Sequence, residues 1–177
     1  VVQYVYFYRN LCQIDIRNEI DWNEKKILLR AYFPVDIHTN EATYEIQYGN
    51  VKRPTHYNTS WDEARFEVCA HKWLDVSEDG YGISVLNDCK YGCDVHNGRI
   101  GLTMLKSATY PNPDADKEHH SFTWSLCPHS GRWQENQTVA KAYLLNNPYR
   151  AVVKQNDGGS LTKTYSAVSV NVPNVVI

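Results

Sequence analysis

The segment Glu118-His119-His120-Ser121-Phe122-Thr123-Trp124-Ser125-Leu126-Cys127 decides the fold class. Successive side chains of an extended chain point to opposite faces. Phe122, Trp124 and Leu126 therefore share one face, and His119, Ser121, Thr123 and Ser125 share the other. A period of two marks a strand buried on one side. Ile14 and Ile16 repeat the pattern, as do Phe66 and Val68. Strands are expected near 3–9, 12–20, 26–34, 41–48, 64–76, 81–87, 99–105, 118–127, 148–154 and 162–172. Asn97-Gly98 is a hairpin turn signal, and Asp157-Gly158-Gly159 marks another tight connection. Pro111-Asn112-Pro113-Asp114-Ala115-Asp116 cannot continue a strand, because proline supplies no ladder donor. One short helix is expected from Thr138 to Leu145, with Val139, Tyr143 and Leu144 at helical spacing and Asn146-Asn147-Pro148 to end it. The fold class that follows is all-β, an antiparallel β-sandwich of two packed sheets.

The 177 residues suffice for one large domain, spanning 1–177. A formal net charge of -2 with scattered Lys and Arg gives no footprint for nucleic acid or an anionic membrane surface. No apolar run approaches the about 20 residues that cross a bilayer. Val1-Val2-Gln3-Tyr4-Val5-Tyr6-Phe7-Tyr8 alternates like a strand and lacks a signal-peptide layout. A start in mid-strand, without Met, leads us to expect a piece of a longer protein. Five cysteines, at positions 12, 69, 89, 93 and 127, fit reduced thiols rather than a disulfide framework.

Residues that a β core does not need concentrate between Arg53 and Cys93. Polar groups on loops of a rigid scaffold are where ligands are met. Cys89, Cys93, His96, His119 and His120 resemble metal donors only superficially. Cys89 and Cys93 are separated by three residues instead of the two of a C-x2-C knuckle, and adjacent histidines on a strand diverge. No metal site is expected. Acidic residues are many, but none is in a spacing diagnostic of glycoside chemistry, and neither a nucleophile elbow nor a Gly-rich phosphate loop occurs. What remains is a mixture suited to sugars, aromatic rings beside amide and charged groups. Trp61, Trp73, Tyr91, Arg53, His56, Asn58, Asn87, Asp88 and Lys90 supply it. Trp61 and Trp73 fit the core of a sandwich equally well.

Several of these segments resemble α-mannosidases of glycoside hydrolase family 38. The segments are Phe33-Pro34-Val35-Asp36-Ile37-His38, Ala42-Thr43-Tyr44-Glu45-Ile46-Gln47-Tyr48-Gly49, Arg53-Pro54-Thr55-His56-Tyr57-Asn58-Thr59-Ser60-Trp61-Asp62 and Leu86-Asn87-Asp88-Cys89-Lys90-Tyr91-Gly92. Arg65 to Trp73, Pro111 to Asp116 and Pro128-His129-Ser130-Gly131 continue the likeness in order. It is nearest to the cytosolic and vacuolar branch and its microbial relatives. Two positions depart from the pattern: Cys93, where an aromatic residue is usual, and Trp124, where Tyr is usual.

The resemblance implies a fragment of the C-terminal β region, a supersandwich similar to galactose mutarotase. It further implies a parent that hydrolyses terminal α-mannosides in glycans with retention, using zinc. The nucleophile and the zinc ligands would lie upstream of this segment, so the fragment alone is expected to be inactive and to hold no metal. Asn87, Asp88, Lys90 and Tyr91, with Arg53 and His56 as weaker candidates, would help to wall the substrate cleft. Fixing the contact with the upstream catalytic domain is the competing role. A cytoplasmic setting is implied, with the vacuole as the alternative. An autonomous carbohydrate-binding module and an oligomerisation domain remain the other two readings of the chain.

Overall fold

The computed structural model describes residues 1–153, 155, 158–160, 162–172 and 174–176. Eleven strands and two short helices follow in the order β1 (Val2–Phe7), β2 (Ile14–Asp21), β3 (Leu28–Pro34), β4 (Glu41–Ile46), β5 (Gly49–Pro54), α1 (Ser60–Ala64), β6 (Val68–Cys69), β7 (Trp73–Glu78), β8 (Tyr81–Asn87), β9 (Gly92–His96), β10 (Arg99–Lys106), β11 (His119–Ser130) and α2 (Thr138–Asn146). They form a seven-stranded sheet, β1-β2-β11-β8-β7-β4-β5, and a four-stranded sheet, β3-β10-β9-β6. Every ladder is antiparallel. The expected sandwich is therefore present.

The alternation in the opening segment has the consequence that its period requires. Phe122 and Trp124 are buried in the main core together with Ile16, Tyr44, Leu74 and Val85 of the same sheet and Val95, Ile100 and Leu102 of the other. The ring of Phe33 in β3 lies 4.6 Å from that of Trp124 in β11, joining the two sheets across this core. Asn97 and Gly98 both take positive φ, 50° and 65°, which fits the expected tight hairpin between β9 and β10.

Three expectations need correction. The run 64–76 is not one strand. Thr59 starts α1, its hydroxyl accepting the Asp62 amide at 3.2 Å, with Asp62 and Glu63 in the first turn. After β6 the chain then leaves the four-stranded sheet and enters the seven-stranded one as β7. Alternation survives that crossover, so periodicity alone does not reveal it. The single expected helix is accordingly two, α1 and α2. Third, no strand is formed in 148–153 or 162–172, and Lys154 and Asp157 lie outside the described residues. Val152 and Val153 there are fully solvated, with no neighbouring strand to pack against. Strand preference is a preference for cross-strand packing, and it is silent without a partner.

Helix α2 lies on the outer face of the seven-stranded sheet. Ala142 joins Trp73, Leu86 and Cys127 in a second buried cluster, with Trp133, Val139 and Leu145 packed around it. Beside this cluster lies a buried polar chain. The Asp75 carboxylate accepts from Ser77 Oγ at 2.5 Å, Ser84 Oγ at 2.8 Å and His129 Nε2 at 2.8 Å. Ser84 Oγ also meets Thr138 Oγ1, at the start of α2, at 2.7 Å. Gly82 makes the space, since a Cβ there would collide with Ser77 Oγ and sit 2.8 Å from His129 Cε1.

The cysteines are all unpaired. Burial pushes the thiols of Cys93 and Cys127 up to about 12. Thiolate is the reactive form. Alkylation of the folded chain at pH 8 is therefore expected to label exposed Cys12 and Cys69 and to spare Cys93 and Cys127 until denaturant is added. Peptide mass spectrometry reads this directly. Labelling of Cys127 at the rate of Cys12 would contradict the packing of α2.

One flank of the sandwich is open. β1 and β3 are the outermost strands of their sheets on that side. A groove of about 340 Å³ runs between them, lined by Val1, Gln3, Arg30, Tyr32, Phe33 and Trp124 among others. Val2, Tyr4, Val5, Tyr6 and Phe7 of β1 are all 45% or more exposed, so neither face of this strand is covered.

Candidate functional site

The crossover from β6 to β7, residues 69–72, is where three of the six expected site residues, Arg53, Asn87 and Tyr91, meet. Arg53 Nη1 donates to the Cys69 carbonyl at 3.2 Å while its guanidinium lies 5.0 Å from the centre of the Tyr44 ring. The Ala70 amide donates to the Tyr91 carbonyl at 3.0 Å, and the His71 amide donates to the Glu45 carbonyl at 3.2 Å. Asn87 Nδ2 donates to the His71 carbonyl at 2.7 Å, and Asn87 Oδ1 accepts the Lys90 amide at 2.7 Å. Glu45 completes the clamp, accepting the Lys72 amide at 2.5 Å and the Lys72 ammonium at 3.3 Å. Buried backbone donors and acceptors need partners, and a chain that switches sheets has no ladder to supply them. These side chains fill that role.

The six expected residues thus fall into three groups. Asn87 and Arg53 grip the crossover, and Tyr91 touches it through its carbonyl. Tyr91 also leans its exposed ring against His71, with centroids 5.0 Å apart. Asp88 extends the β8–β11 ladder, taking the Thr123 amide at 2.8 Å on Oδ2; its Oδ1 is buried without a partner among the described residues. Lys90 places its ammonium 4.5 Å from the centre of the Phe122 ring, at the end of the core. His56 stands apart in the loop before α1, its Nδ1 3.9 Å from Asp62 Oδ2.

Of the two tryptophans, Trp73 is 2% exposed and belongs to the core beneath α2, whereas Trp61 is 76% exposed on α1. Glu45 and Lys72 belong to the clamp but stand outside the six. Glu45 sits in a regular strand, where only its burial distinguishes it from a solvated acid, and burial of a single position is not legible in the sequence.

The side chains resembling metal donors are dispersed. Cys93 faces the core and His96 bonds the Thr55 carbonyl at 3.1 Å. His119 lies between Asp21 and Glu19, whose hydrogen bonds raise its pKa. His120 reaches the Asp116 carbonyl at 2.8 Å. Cys69 Sγ lies 3.9 Å from His71 Nε2, which gives two donors where tetrahedral zinc takes four. Among the described residues no three His, Cys, Asp or Glu side chains converge on a point that could hold a metal ion. These residues therefore do not fit a zinc centre.

Comparisons with known proteins identify the family and the fold. Residues 1–114 match the family described as the glycosyl hydrolases family 38 C-terminal domain. The chain is 43% identical over 164 residues to human alpha-mannosidase 2C1, covering 93% of this chain and 16% of that protein. It is 46% identical over 149 residues to alpha-mannosidase G of Dictyostelium discoideum and 40% identical over 149 residues to the alpha-mannosidase of Saccharomyces cerevisiae, covering 14% of each. The chain thus spans about one sixth of the length of the human relative. Among solved structures, a family 38 glycosyl hydrolase from Enterococcus faecalis superposes with a TM-score of 0.77 at 18% identity, over 89% of this chain and 19% of that one. An alpha-mannosidase from Enterococcus faecalis V583 gives 0.73 at 18% identity, over 81% and 17%. At that identity the likeness is one of fold.

Proposed function

The chain belongs to the C-terminal domain family of the family 38 glycosyl hydrolases, and on that premise we propose that it is the β domain of an α-mannosidase acting on terminal α-mannosides in glycans. The observation that carries the proposal is the identity of 43% along 93% of the chain to a protein named as an alpha-mannosidase. Residues 1–177 serve as one domain of a longer chain. They support an upstream catalytic domain of the same polypeptide and contribute to the wall of its cleft. Zinc and the nucleophilic carboxylate belong to that upstream part. The setting is the cytoplasm or the vacuole. No described helix is long and apolar enough to cross a membrane.

Within this reading the clamp around the crossover holds the β8–β9 loop, and Lys90, Tyr91, Arg53, His56, Asn87 and Asp88 shape the cleft wall. Both polar ends of the Asn87 side chain and Oδ2 of Asp88 are engaged in internal hydrogen bonds, so these two residues act by positioning the loop. Lys90 and Tyr91 are the pair with groups to spare for substrate. An aryl α-mannoside assay tests the proposal. Turnover is expected from the full-length protein and none from residues 1–177 alone. A full-length protein inert toward α-mannosides would defeat it.

Lys90→Ala in the full-length protein is expected to lower kcat/KM by about 10- to 100-fold, the equivalent of about 1–3 kcal/mol for a charged hydrogen bond. Its melting temperature should stay put, because the ammonium only overlies the Phe122 ring. Unchanged kinetics would assign the loop to contact between domains.

A further inference from the structure

The peptide unit between His71 and Lys72 is held at both ends. Its N–H, that of Lys72, is donated to Glu45 Oε2 at 2.5 Å, and its carbonyl, that of His71, accepts Asn87 Nδ2 at 2.7 Å. The other end of the Asn87 carboxamide, Oδ1, accepts the Lys90 amide at 2.7 Å. The neighbours settle which end of Asn87 is which, a carbonyl on one side and an N–H on the other. Three planar amide groups therefore donate in one direction: the 89–90 peptide to Asn87, Asn87 to the 71–72 peptide, and that peptide to the Glu45 carboxylate. In such a chain each group polarises the next, and an anion at the accepting end strengthens the bonds behind it. Both side chains lie out of solvent, Asn87 at 4% exposure and Glu45 at 7%. A carboxylate costs free energy to bury, whereas glutamine would offer the Lys72 amide an oxygen without a charge. The Lys72 ammonium offsets part of that cost at 3.3 Å, although it is 29% exposed and also overlies the Tyr143 ring. The charge at 45 needs a use beyond satisfying one N–H, and the aligned amides supply it.

We propose that Glu45 is a positioning residue for the β8–β9 loop, its carboxylate anchoring the chain of amides that ends on the Lys90 N–H and so fixing where Lys90 and Tyr91 stand. The inference rests on the reading above for the role of Lys90 toward a mannoside, and on these bonds for the link. A peptide unit is a rigid plane with its N–H and C=O pointing in opposite directions, so the two ends turn together. Without its acceptor at Glu45 the 71–72 plane is free to tilt, and the His71 carbonyl tilts away from Asn87. Asn87 then loses the contact that orients its carboxamide, and the Lys90 amide loses its only acceptor among the described residues. Glu45 reaches the loop solely through these groups.

Hydrogen exchange of the full-length protein, read by mass spectrometry, tests the link without reference to activity. Glu45→Gln keeps the shape and an oxygen but gives up the charge; Glu45→Ala gives up both. The peptide containing Asp88–Gly92 is expected to exchange about threefold faster in Glu45→Gln and about tenfold faster in Glu45→Ala. Peptides from β2 and β10, which hold no member of the chain of amides, should keep their rates. If Glu45→Ala does not fold, Glu45→Gln decides alone. Unchanged exchange of the loop in Glu45→Gln, or an equal rise throughout the domain, overturns the proposal. The second readout is a double-mutant cycle in the aryl α-mannoside assay. Glu45→Gln is expected to lower kcat/KM by about fivefold with Lys90 in place and by less than about twofold in the Lys90→Ala background. Equal losses in the two backgrounds would show that Glu45 does not act through Lys90, and would overturn the proposal as well. A full-length protein without turnover defeats the mannosidase reading and leaves the exchange to decide the link.

Discussion

Asp75→Ala is expected to destabilise the chain by about 3–5 kcal/mol, the range seen when one member of a buried charged or polar set is removed. The carboxylate is 2% exposed and is the common acceptor for Ser77, Ser84 and His129. Its loss leaves the buried Nε2 of His129 without an acceptor, takes the partner of half-buried Ser77 and leaves Ser84 only Thr138 Oγ1, and each buried unsatisfied group costs about 1–3 kcal/mol. His129 already has an Nδ1 without a partner among the described residues, so it has no second bond to fall back on. Part of the damage is relieved if α2 lifts and admits water. Hydrogen exchange should therefore show the amides of Thr138–Asn146 losing protection before those of β8. For a domain of this size the loss corresponds to a fall in Tm of about 10 °C. A melt within about 2 °C of the unsubstituted chain would mean that the polar chain is not closed as described.

The second large effect is expected at Asn87. Its side chain is 4% exposed and makes two hydrogen bonds of 2.7 Å, one to the His71 carbonyl and one from the Lys90 amide. Its own carbonyl receives Asn146 Nδ2 at 3.0 Å. One residue therefore ties together the crossover, the β8–β9 loop and the end of α2. Asn87→Ala removes both side-chain bonds and leaves a buried carbonyl and a buried amide behind, at about 2–4 kcal/mol. Asn87→Asp keeps the acceptor for Lys90 but sets a carboxylate against the His71 carbonyl, so it should not restore the lost stability. Urea titration of the three chains orders them: the unsubstituted chain first, with both variants well below. An Asp variant as stable as the original would show that the His71 contact carries no weight.

These expectations differ in how far the sequence announces them. The sandwich is legible because burial on one side forces a period of two, and Phe122, Trp124 and Leu126 display it without interruption. The Asn97-Gly98 hairpin is legible because both residues must take positive φ, a demand few residue pairs meet. The break between β6 and β7 is not, since the alternation of Phe66, Val68 and Ala70 resumes in Leu74 and Val76 after the bend at 71 and 72, and the local pattern does not show that the partners across the ladder differ. The Val-rich segments after residue 148 mislead for the converse reason: their composition suits a strand, but strand formation depends on a neighbour that a local reading cannot see.

The candidate site divides in the same way. Asn87 and Tyr91 stand out as polar and aromatic residues in a turn, and the structure puts both against one crossover. Glu45 shares that clamp and gives no local sign of it.

The outer rim of β1 presents bare amides and carbonyls whose spacing is common to every extended peptide. Such a rim grips any strand that reaches it with similar strength, and choosiness must come from what projects above and below. Tyr4 and Tyr6 stand on one side and Val5 and Phe7 on the other. An intruding strand with bulky or charged groups opposite those teeth would be turned away, and one with small residues there would seat.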